Sequence, residues 1–546
     1  MKDYIRNSII AVLNELGYPV KDFVIDEPKD SSFGDLSANI ALVISKELKK
    51  NPREVAGNIL EKLLFDESKI SKSDIAGPGF LNFFVSDDFY RNELINILSN
   101  ENYGKMNKNS GKTANLEWVS ANPTGPLHAG HGRQVCLGKA IANLLEWTGF
   151  EVTREYYYND AGNQMNNLAK SIKARYEQIM NPDYPFPEDG YVGEYIKEIA
   201  EKIFSDYNDK YRNSDDLGFF KSAGEQENFG KIKATLKSFG IQHDVFFNET
   251  SLYKDGNIDK LKTIFKNKNL SYEKDGATWL KMNEKKFDKD KVIVKATGEP
   301  TYRLPDMAYH IDKILRGYNL IVDIFGSDHF DTYKEVLYGV QSAGFNTDNI
   351  KVIIHQMVTF KKGNESVKMS KRSDNVYYLD DLIKDVGIDA TQFFFIMRAA
   401  NTHLDFDIEL AKDQSDKNPV YYLQYAHARI CGILRNAEEN FSNINSMNVN
   451  ELDTSLLINQ SEINLLKTLS KFPFEVEDSA KSLEPHKLIV FLNSVAESFH
   501  KFYHNNRVLD NENPKLSFAR LLICNAVKRV LKNGFCIIGI NAPERM

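Results

Sequence analysis

Apolar and polar positions alternate with different periods along the chain, and the changes of period predict its elements. In MKDYIRNSIIAVLNELGYPV (1–20), Asp3, Arg6, Asn14 and Glu15 interrupt the apolar residues, which predicts an amphipathic helix rather than a signal peptide. Helical patterns and short strand-like runs then alternate up to AGPGFLNFFVSDDFY (76–90) and a long helical stretch, and the polar KNSGKT (108–113) reads as a linker. Beyond it, NLEWVS (115–120) is a strand pattern, ANPTGPLHAGHG (121–132) a Pro/Gly loop, and Val135, Leu137, Ile141, Leu144 and Leu145 mark a helix closing near Gly149. EVTREYYY (151–158) follows as a strand, so a parallel βαβ unit is expected.

Residues 165 to 290 are charged and helical, with a Pro-rich break at NPDYPFPEDGY (181–191), and read as an insertion. Strand-like runs return at KVIVKA (291–296), NLIVDIFG (319–326) and KVIIHQMV (351–358), so the same sheet is expected to resume after it. From roughly 385 amphipathic helices dominate; SFARLLICNAVKRVLKN (517–533) carries a broad apolar side of Leu521, Leu522, Val527, Val530 and Leu531. The fold class expected is α/β multidomain: an α+β N-terminal module (1–108), a Rossmann-like parallel-sheet domain (109–385, insertion about 165–290) and an all-α bundle (386–546).

Composition adds exclusions. With 546 residues, 42% of them hydrophobic, the chain can hold several cores. Cys136, Cys431, Cys524 and Cys536 form no CxxC or Cys/His cluster, which argues against structural zinc and a disulfide framework and fits a reducing compartment, so no resident metal is expected. No run approaches the ~18 to 20 apolar residues that span a bilayer, so the cytoplasm is expected and a membrane partner is not. A net charge of −7 speaks against bulk coating of nucleic acid, although residues 501–546 hold eight Lys/Arg against three Asp/Glu and suit either a phosphate backbone or a solvated helix face.

The chemistry centres on His128-Ala129-Gly130-His131 between a strand and a helix. Two imidazoles there can donate to phosphate oxygens, aided by the N–H groups and dipole of the helix start, and Gly130 and Gly132 let a flat ligand approach the backbone. Alone, the pair is equally compatible with surface histidines or half a metal site. A second motif, Lys368-Met369-Ser370-Lys371-Arg372, follows the strand KVIIHQMV and a Gly-containing loop; its cations suit the charge that builds on a pentavalent phosphate and departing pyrophosphate. A basic pentamer alone is an ordinary solvated loop, but the switch point of a doubly wound sheet would join it to the histidines as one phosphate site. Glu117 and Asp306 sit where strands should end and suit the planar donors of a guanidinium; the plain alternatives are an exposed strand-edge carboxylate and a helix N-cap. Tyr421, Tyr422, Gln424, Tyr425, His427 and Arg429 in NPVYYLQYAHAR suit unpaired RNA bases or a helix core.

HAGH and KMSK, in that order, resemble the two signatures of the class I aminoacyl-tRNA synthetases. Within that class ANPTGPLHAGH, YYYNDAGNQ (156–164), PTYRLPDMAYHIDK (300–313), FGSDH (325–329), MRAANTHLDFD (397–407), NPVYYLQYAHAR (418–429) and APERM (542–546) resemble the arginine family over the whole chain. The resemblance implies activation of L-arginine by ATP with Mg²⁺ and transfer to the 3′-terminal adenosine of tRNA(Arg), with tRNA bound before activation, by a monomer. It implies catalytic roles for His128, His131, Lys368 and Lys371. It assigns ATP to Ala121, Asn122, Pro123, Thr124, Gly125, Pro126, Leu127, His128, Ala129, Gly130, His131, Asp328, His329, Gln356, Met369 and Ser370. Arginine goes to Glu117, Ser120, Asn122, His128, Tyr302 and Asp306, and the tRNA anticodon to Tyr421, Gln424, Tyr425, Arg429 and Met546. Asn159, Asp160, Gly162 and Gln164 are implied to meet the tRNA acceptor end or arginine, with Tyr156 and Tyr158 read as core, and FGDLSANIA (33–41) with AGPGFLNF (76–83) the outer corner of the tRNA. Many members of the family lack an intact KMSK; its presence here places the loop cation on Lys371 itself. The rivals are another class I synthetase, a silent RNA-binding paralogue and a small-molecule nucleotidylyltransferase.

Overall fold

The computed structural model describes residues 1–160, 162–283, 286–363, 365–367, 376–445, 447–449 and 452–546. By contact the chain forms two compact units: Met1–Tyr103 with Ile430–Lys471 and Val495–Val530, and Gly104–Arg429 with Phe472–Ser494 and Leu531–Met546.

In the first unit the helix Lys2–Glu15 buries Ile5, Ile9, Val12 and Leu13, the one-sided spacing expected of it. Four strands, β1 (Ile25–Asp26), β2 (Leu36–Ala38), β3 (Ile70–Ala76) and β4 (Phe80–Val85), form an antiparallel sheet in the order β1-β2-β4-β3. Helices from late in the sequence pack on this module: Arg91 Nε donates to the Leu457 carbonyl (3.0 Å), Arg529 donates to that of Ile97 (2.8 Å), and Lys467 pairs with Asp35. The helix Gln460–Ser470 opens on a capping box of Asn459 and Glu462, and Glu462 also accepts from Arg520 Nε (2.7 Å).

The second unit holds β5 (Thr113–Glu117), β6 (Glu151–Tyr158), β7 (Val245–Asn248), β8 (Ser271–Lys274), β9 (Ala277–Leu280), β10 (Lys291–Val294), β11 (Leu320–Gly326), β12 (Ile350–His355), β13 (Val358–Lys362), β14 (Glu365–Val367) and β15 (Leu404–Asp407). Its main sheet is parallel, ordered β12-β11-β5-β6-β7, with the helix Gly132–Trp147 linking β5 to β6. The chain leaves β5 toward β6 and later returns to β5's other side as β11, so the crevice beyond their carboxyl ends is the switch point where such sheets bind ligands.

Three strand expectations are corrected. KVIVKA does not rejoin the parallel sheet: β10 pairs antiparallel with β9 in a separate sheet, β10-β9-β8, because Ile293 and Val294 pack into a core with Leu280, Met282 and Leu304. The fifth parallel strand, β7, lies inside the segment read as an insertion. KVIIHQMV is two strands, broken at Gln356 and Met357, and β13 pairs instead with β14 and with β15, a strand beyond residue 385.

The last part of the chain is helical, in Pro419–Asn440, Gln460–Ser470, Phe472–Ser482, Pro485–Asn505 and Pro514–Ile538, and Leu521, Leu522, Val527, Val530 and Leu531 are buried. Among the described residues, which include all four cysteines, there is no disulfide. Among the described residues no helix is long and apolar enough to cross a membrane, and no group of three or more His, Cys, Asp or Glu is arranged to hold a metal ion.

Candidate active site

Beyond β5 the backbone turns through two consecutive left-handed residues, Val119 (φ 71°) and Ser120 (φ 42°). For a β-branched residue this is a strained conformation, costing on the order of 1–3 kcal/mol, which surrounding contacts must hold. Ser120 Oγ donates to Glu117 Oε1 (2.9 Å) and accepts from the Tyr157 N–H (3.2 Å). The loop that follows is pinned through its own main chain. Tyr156 donates to the Ala121 carbonyl (2.7 Å), Asn228 to that of Pro123 (3.0 Å) and Tyr195 to that of Thr124 (2.7 Å), while Leu379 N–H donates to the Leu127 carbonyl and Ala129 N–H to that of Tyr377 (both 2.9 Å).

His128 and His131 flank one 3₁₀ turn, Ala129–His131, that runs into the helix Gly132–Trp147. The His128 N–H donates to His131 Nδ1 (3.2 Å), which leaves Nε2 as the donor nitrogen of neutral His131, and the two rings stack at 3.7 Å. Gly132 must be glycine, since a Cβ there would stand 2.4 Å from the Phe395 ring. The next residue, Arg133, is fully buried and donates to the carbonyls of Gln356 (2.8 Å), Thr402 (2.8 Å) and Ala399 (2.9 Å), tying the helix start to the break after β12; burial lowers its pKa to about 10.

Histidine turn, strand ends and helix Arg303–Leu315 enclose a cavity of about 940 Å³. Glu117, Ser120, Ala121, Asn122, Thr124, His128, Gly130, His131, Tyr302, Asp306, Asp328, His329 and Gln356 all line it. Pro123, Gly125, Pro126, Leu127 and Ala129 do not; Leu127 and Ala129 are buried and serve the loop's anchoring. Lys368, Met369, Ser370 and Lys371 lie outside the described residues.

Neither plain alternative for the two carboxylates holds. Glu117 is buried, not an exposed strand edge, and the helix bearing Asp306 begins at Arg303 with no side-chain cap. Burial, reinforced by Glu117 and Glu249 and opposed by His310 and His329, pushes the Asp306 carboxyl up to about 6. Glu249 also lines the cavity, held by Tyr157 Oη (2.6 Å) and Asn159 Nδ2 (2.9 Å), and burial raises it too. Three carboxylates thus gather around Tyr157 in a cavity that also holds His128, His131, His329 and His355, an arrangement able to take a cationic planar group and an anionic one together.

Under this floor runs a buried ionic network. Lys313 pairs with Glu117 and with Asp323 Oδ1 (2.6 Å), and His310 Nε2 meets Asp323 Oδ2 at 3.2 Å. Glu155 accepts from Asn115 (2.6 Å), Tyr309 (2.7 Å) and both terminal nitrogens of Arg316 (2.6 and 2.8 Å). Burial pushes the Glu117 carboxyl up while Lys313 pulls it back; against burial, the ion pairs hold Lys313 above and Asp323 below their ordinary ranges.

YYYNDAGNQ is divided between core and cavity. Tyr156 is fully buried; Asn159 and Gln164 line the cavity, with Asn122 Nδ2 donating to Gln164 (2.9 Å); Asp160 accepts from Thr250 (2.5 Å). On the helix Pro419–Asn440, Tyr421 and Tyr425 lie parallel at 6.2 Å and Tyr425 is 42% exposed. Gln424 is turned inward, donating to Asp389 (2.8 Å) and the Asn541 carbonyl (3.0 Å), and His427 contacts the Pro543 carbonyl (2.8 Å), so this helix secures the tail that ends in exposed Met546. Arg429 is partly buried beside them.

Sequence reasoning passed over Glu155, Glu249, His310, Lys313 and Asp323. A signal existed for Asp323, a lone charge inside the apolar run NLIVDIFG, and for His310 and Lys313, which share a helix face with Asp306. Glu249 carries none.

Three family models match the chain: arginyl tRNA synthetase N terminal domain over residues 2–85, tRNA synthetases class I (R), catalytic domain, over 93–398, and DALR anticodon binding domain over 423–546. The arginine–tRNA ligase of Salinibacter ruber is 44% identical over 567 aligned residues, covering 100% of both chains, and that of Chlorobaculum tepidum 46% identical over 536, covering 96% of each. The solved arginyl-tRNA synthetase of Thermus thermophilus shares the fold, with a TM-score of 0.77 at 19% identity over 100% of both chains.

Proposed function

We propose, for a chain that belongs to the arginyl-tRNA synthetase family of class I, that the cavity between Glu117, Asp306, His128 and His131 is where arginine and ATP meet. The chain is an arginine–tRNA ligase, whose substrates are arginine, ATP and tRNA and whose products are arginyl-tRNA, AMP and diphosphate. The observation that carries the site assignment is the gathering of carboxylates and histidines in one cavity at the switch point of the sheet.

Glu117, Tyr302 and Asp306 hold the guanidinium, with Ser120 fixing Glu117, and Asn122 with His128 faces the α-amino and carboxylate end. ATP lies over the 121–131 loop, with Asp328, His329 and Gln356 on the adenosine side, and His128 and His131 donate to its phosphates. The arginine carboxylate attacks the α-phosphate in line, and Lys368 and Lys371, with Met369 and Ser370 between them, carry the charge of the departing diphosphate. Bound with ATP, Mg²⁺ would supply positive charge to the phosphates and would be held chiefly by phosphate and water rather than by side chains of this chain. The 2′-hydroxyl of the tRNA's terminal adenosine then takes the arginyl group, and tRNA binds before activation. Tyr421, Tyr425, Arg429 and Met546 offer stacking and hydrogen-bonding groups to anticodon bases, with Gln424 supporting them from inside.

By function the chain divides into residues 1–108, which meet the body of the tRNA, 109–385, which catalyse, and 386–546, which read the anticodon. It acts as a cytoplasmic monomer. The test is ATP consumption and aminoacylation with each of the twenty amino acids, with and without total tRNA, on the wild type and on Asp306→Ala. Charging of arginine alone, dependent on tRNA and abolished in the variant, is expected; an unimpaired variant would remove Asp306 from the pocket.

A further inference from the structure

The buried lysine beneath the pocket has no assigned role, and its contacts define one. Lys313 is fully buried; its Nζ meets Glu117 Oε2 and Asp323 Oδ1 and lies 4.2 Å from the centroid of the Tyr309 ring. Its donors are directed into the protein, so it acts on a ligand only through those partners. Of the two carboxylates, Asp323 is fully buried and further held by His310, whereas Glu117 lines the cavity.

Glu117 is constrained at both oxygens, Oε1 by Ser120 and Oε2 by Lys313, and each oxygen keeps a second lone pair. Two fixed contacts set the plane of the carboxylate, and a guanidinium fork binds well only to a carboxylate of matching plane. The charge matters as well. Glu117 shares its surroundings with Asp306, Asp323 and Glu155, while Lys313, His310 and Arg316 are the cations facing them. Without Lys313, a buried carboxyl among like charges takes up a proton, and a protonated carboxyl presents a donor where a guanidinium also presents donors.

We propose that Lys313 is a positioning residue for amino-acid selection, presenting Glu117 as a fixed, ionised acceptor and thereby favouring a cationic guanidinium over the neutral ureido group of the same shape. This rests on the reading that Glu117 holds the arginine side chain.

The experiment is tRNA-dependent aminoacylation from pH 6 to 9 with arginine, and with citrulline as the neutral isostere, on the wild type, Lys313→Met, Glu117→Gln and the double variant. Lys313→Met is expected to raise the arginine KM roughly ten-fold or more, as loss of one partner from a buried charge pair does. The rise should steepen as pH falls, discrimination against citrulline should shrink, and the ATP KM should stay within about two-fold, since uniform damage to the site would move both substrates. Adding Lys313→Met to Glu117→Gln should cost little more than Glu117→Gln alone, because Lys313 acts through that carboxylate. Lys313→Met with Asp323→Asn removes one buried charge of each sign and gives the same kinetic pattern should the single variant not fold. If Glu117→Gln leaves the arginine KM unchanged, the underlying reading of Glu117 fails. If Glu117→Gln raises it but Lys313→Met does not, or if the two losses multiply, or if the Lys313 variants lower kcat alone with an unchanged pH profile, the role given to Lys313 is overturned.

Discussion

Asp306→Asn should make the protein more heat-stable and nearly unable to use arginine. The native pocket raises the Asp306 carboxyl from 3.8 to about 6, burial being the largest cause. A carboxyl raised in the folded state is destabilising wherever it is ionised: the penalty is absent below the unfolded value, grows as pH rises through the interval, and is complete above the folded value. At about 1.36 kcal/mol for each pH unit, a displacement from 3.8 to about 6 amounts to roughly 3 kcal/mol at neutral pH. An amide of the same shape escapes that penalty. The variant should therefore melt above the wild type at pH 8, and the difference should shrink as pH falls from 6 toward 4, where the wild-type acid is also neutral. Scanning fluorimetry without ligands, at intervals across that range, measures it. The same variant should lose arginine kcat/KM by roughly a hundred-fold or more, since an uncharged amide offers a guanidinium neither a charge nor a second acceptor. A melting difference independent of pH, or a wild-type arginine kcat/KM that fails to fall below pH 6, would refute the account.

Arg133→Lys should destabilise the protein by about 3 kcal/mol, because a single ammonium cannot replace a fork reaching three carbonyls; urea unfolding followed by tryptophan fluorescence checks this. Glu249→Gln should raise the arginine KM several-fold with the ATP KM unchanged, measured by steady-state kinetics with tRNA present; equal changes in both would place Glu249 outside the amino-acid pocket.

The βαβ unit was legible because β5, the 121–132 loop and the helix Gly132–Trp147 are contiguous and their periods differ, and the helical tail because its apolar stripes are long. Strand partnership was not. VFFN is four residues of half-buried strand with nothing in it to say whether its edge meets β6 or another hairpin, and KVIV has the apolar run of a central parallel strand yet pairs with β9. The cavity's first layer was legible for a related reason: Glu117 and Asp306 sit at element ends, where a charge must have a purpose or a solvent. The layer below was hidden because HIDK in a helix looks like a wet face until β5 and β11 are known to lie against it. Glu249 reaches the cavity only through β7, the strand whose place the sequence concealed.

The left-handed pair Val119 and Ser120 has a bearing on how this protein can be altered. Glycine adopts that backbone without strain, but Val119 is also buried, so a glycine there would exchange relief at the turn for lost packing and a freer unfolded chain. The same bend sets Ser120 against Glu117, so the packing that holds Val119 also keeps that carboxylate oriented. A strained backbone and a buried side chain are therefore tied together at this one bend, and neither can be changed without the other.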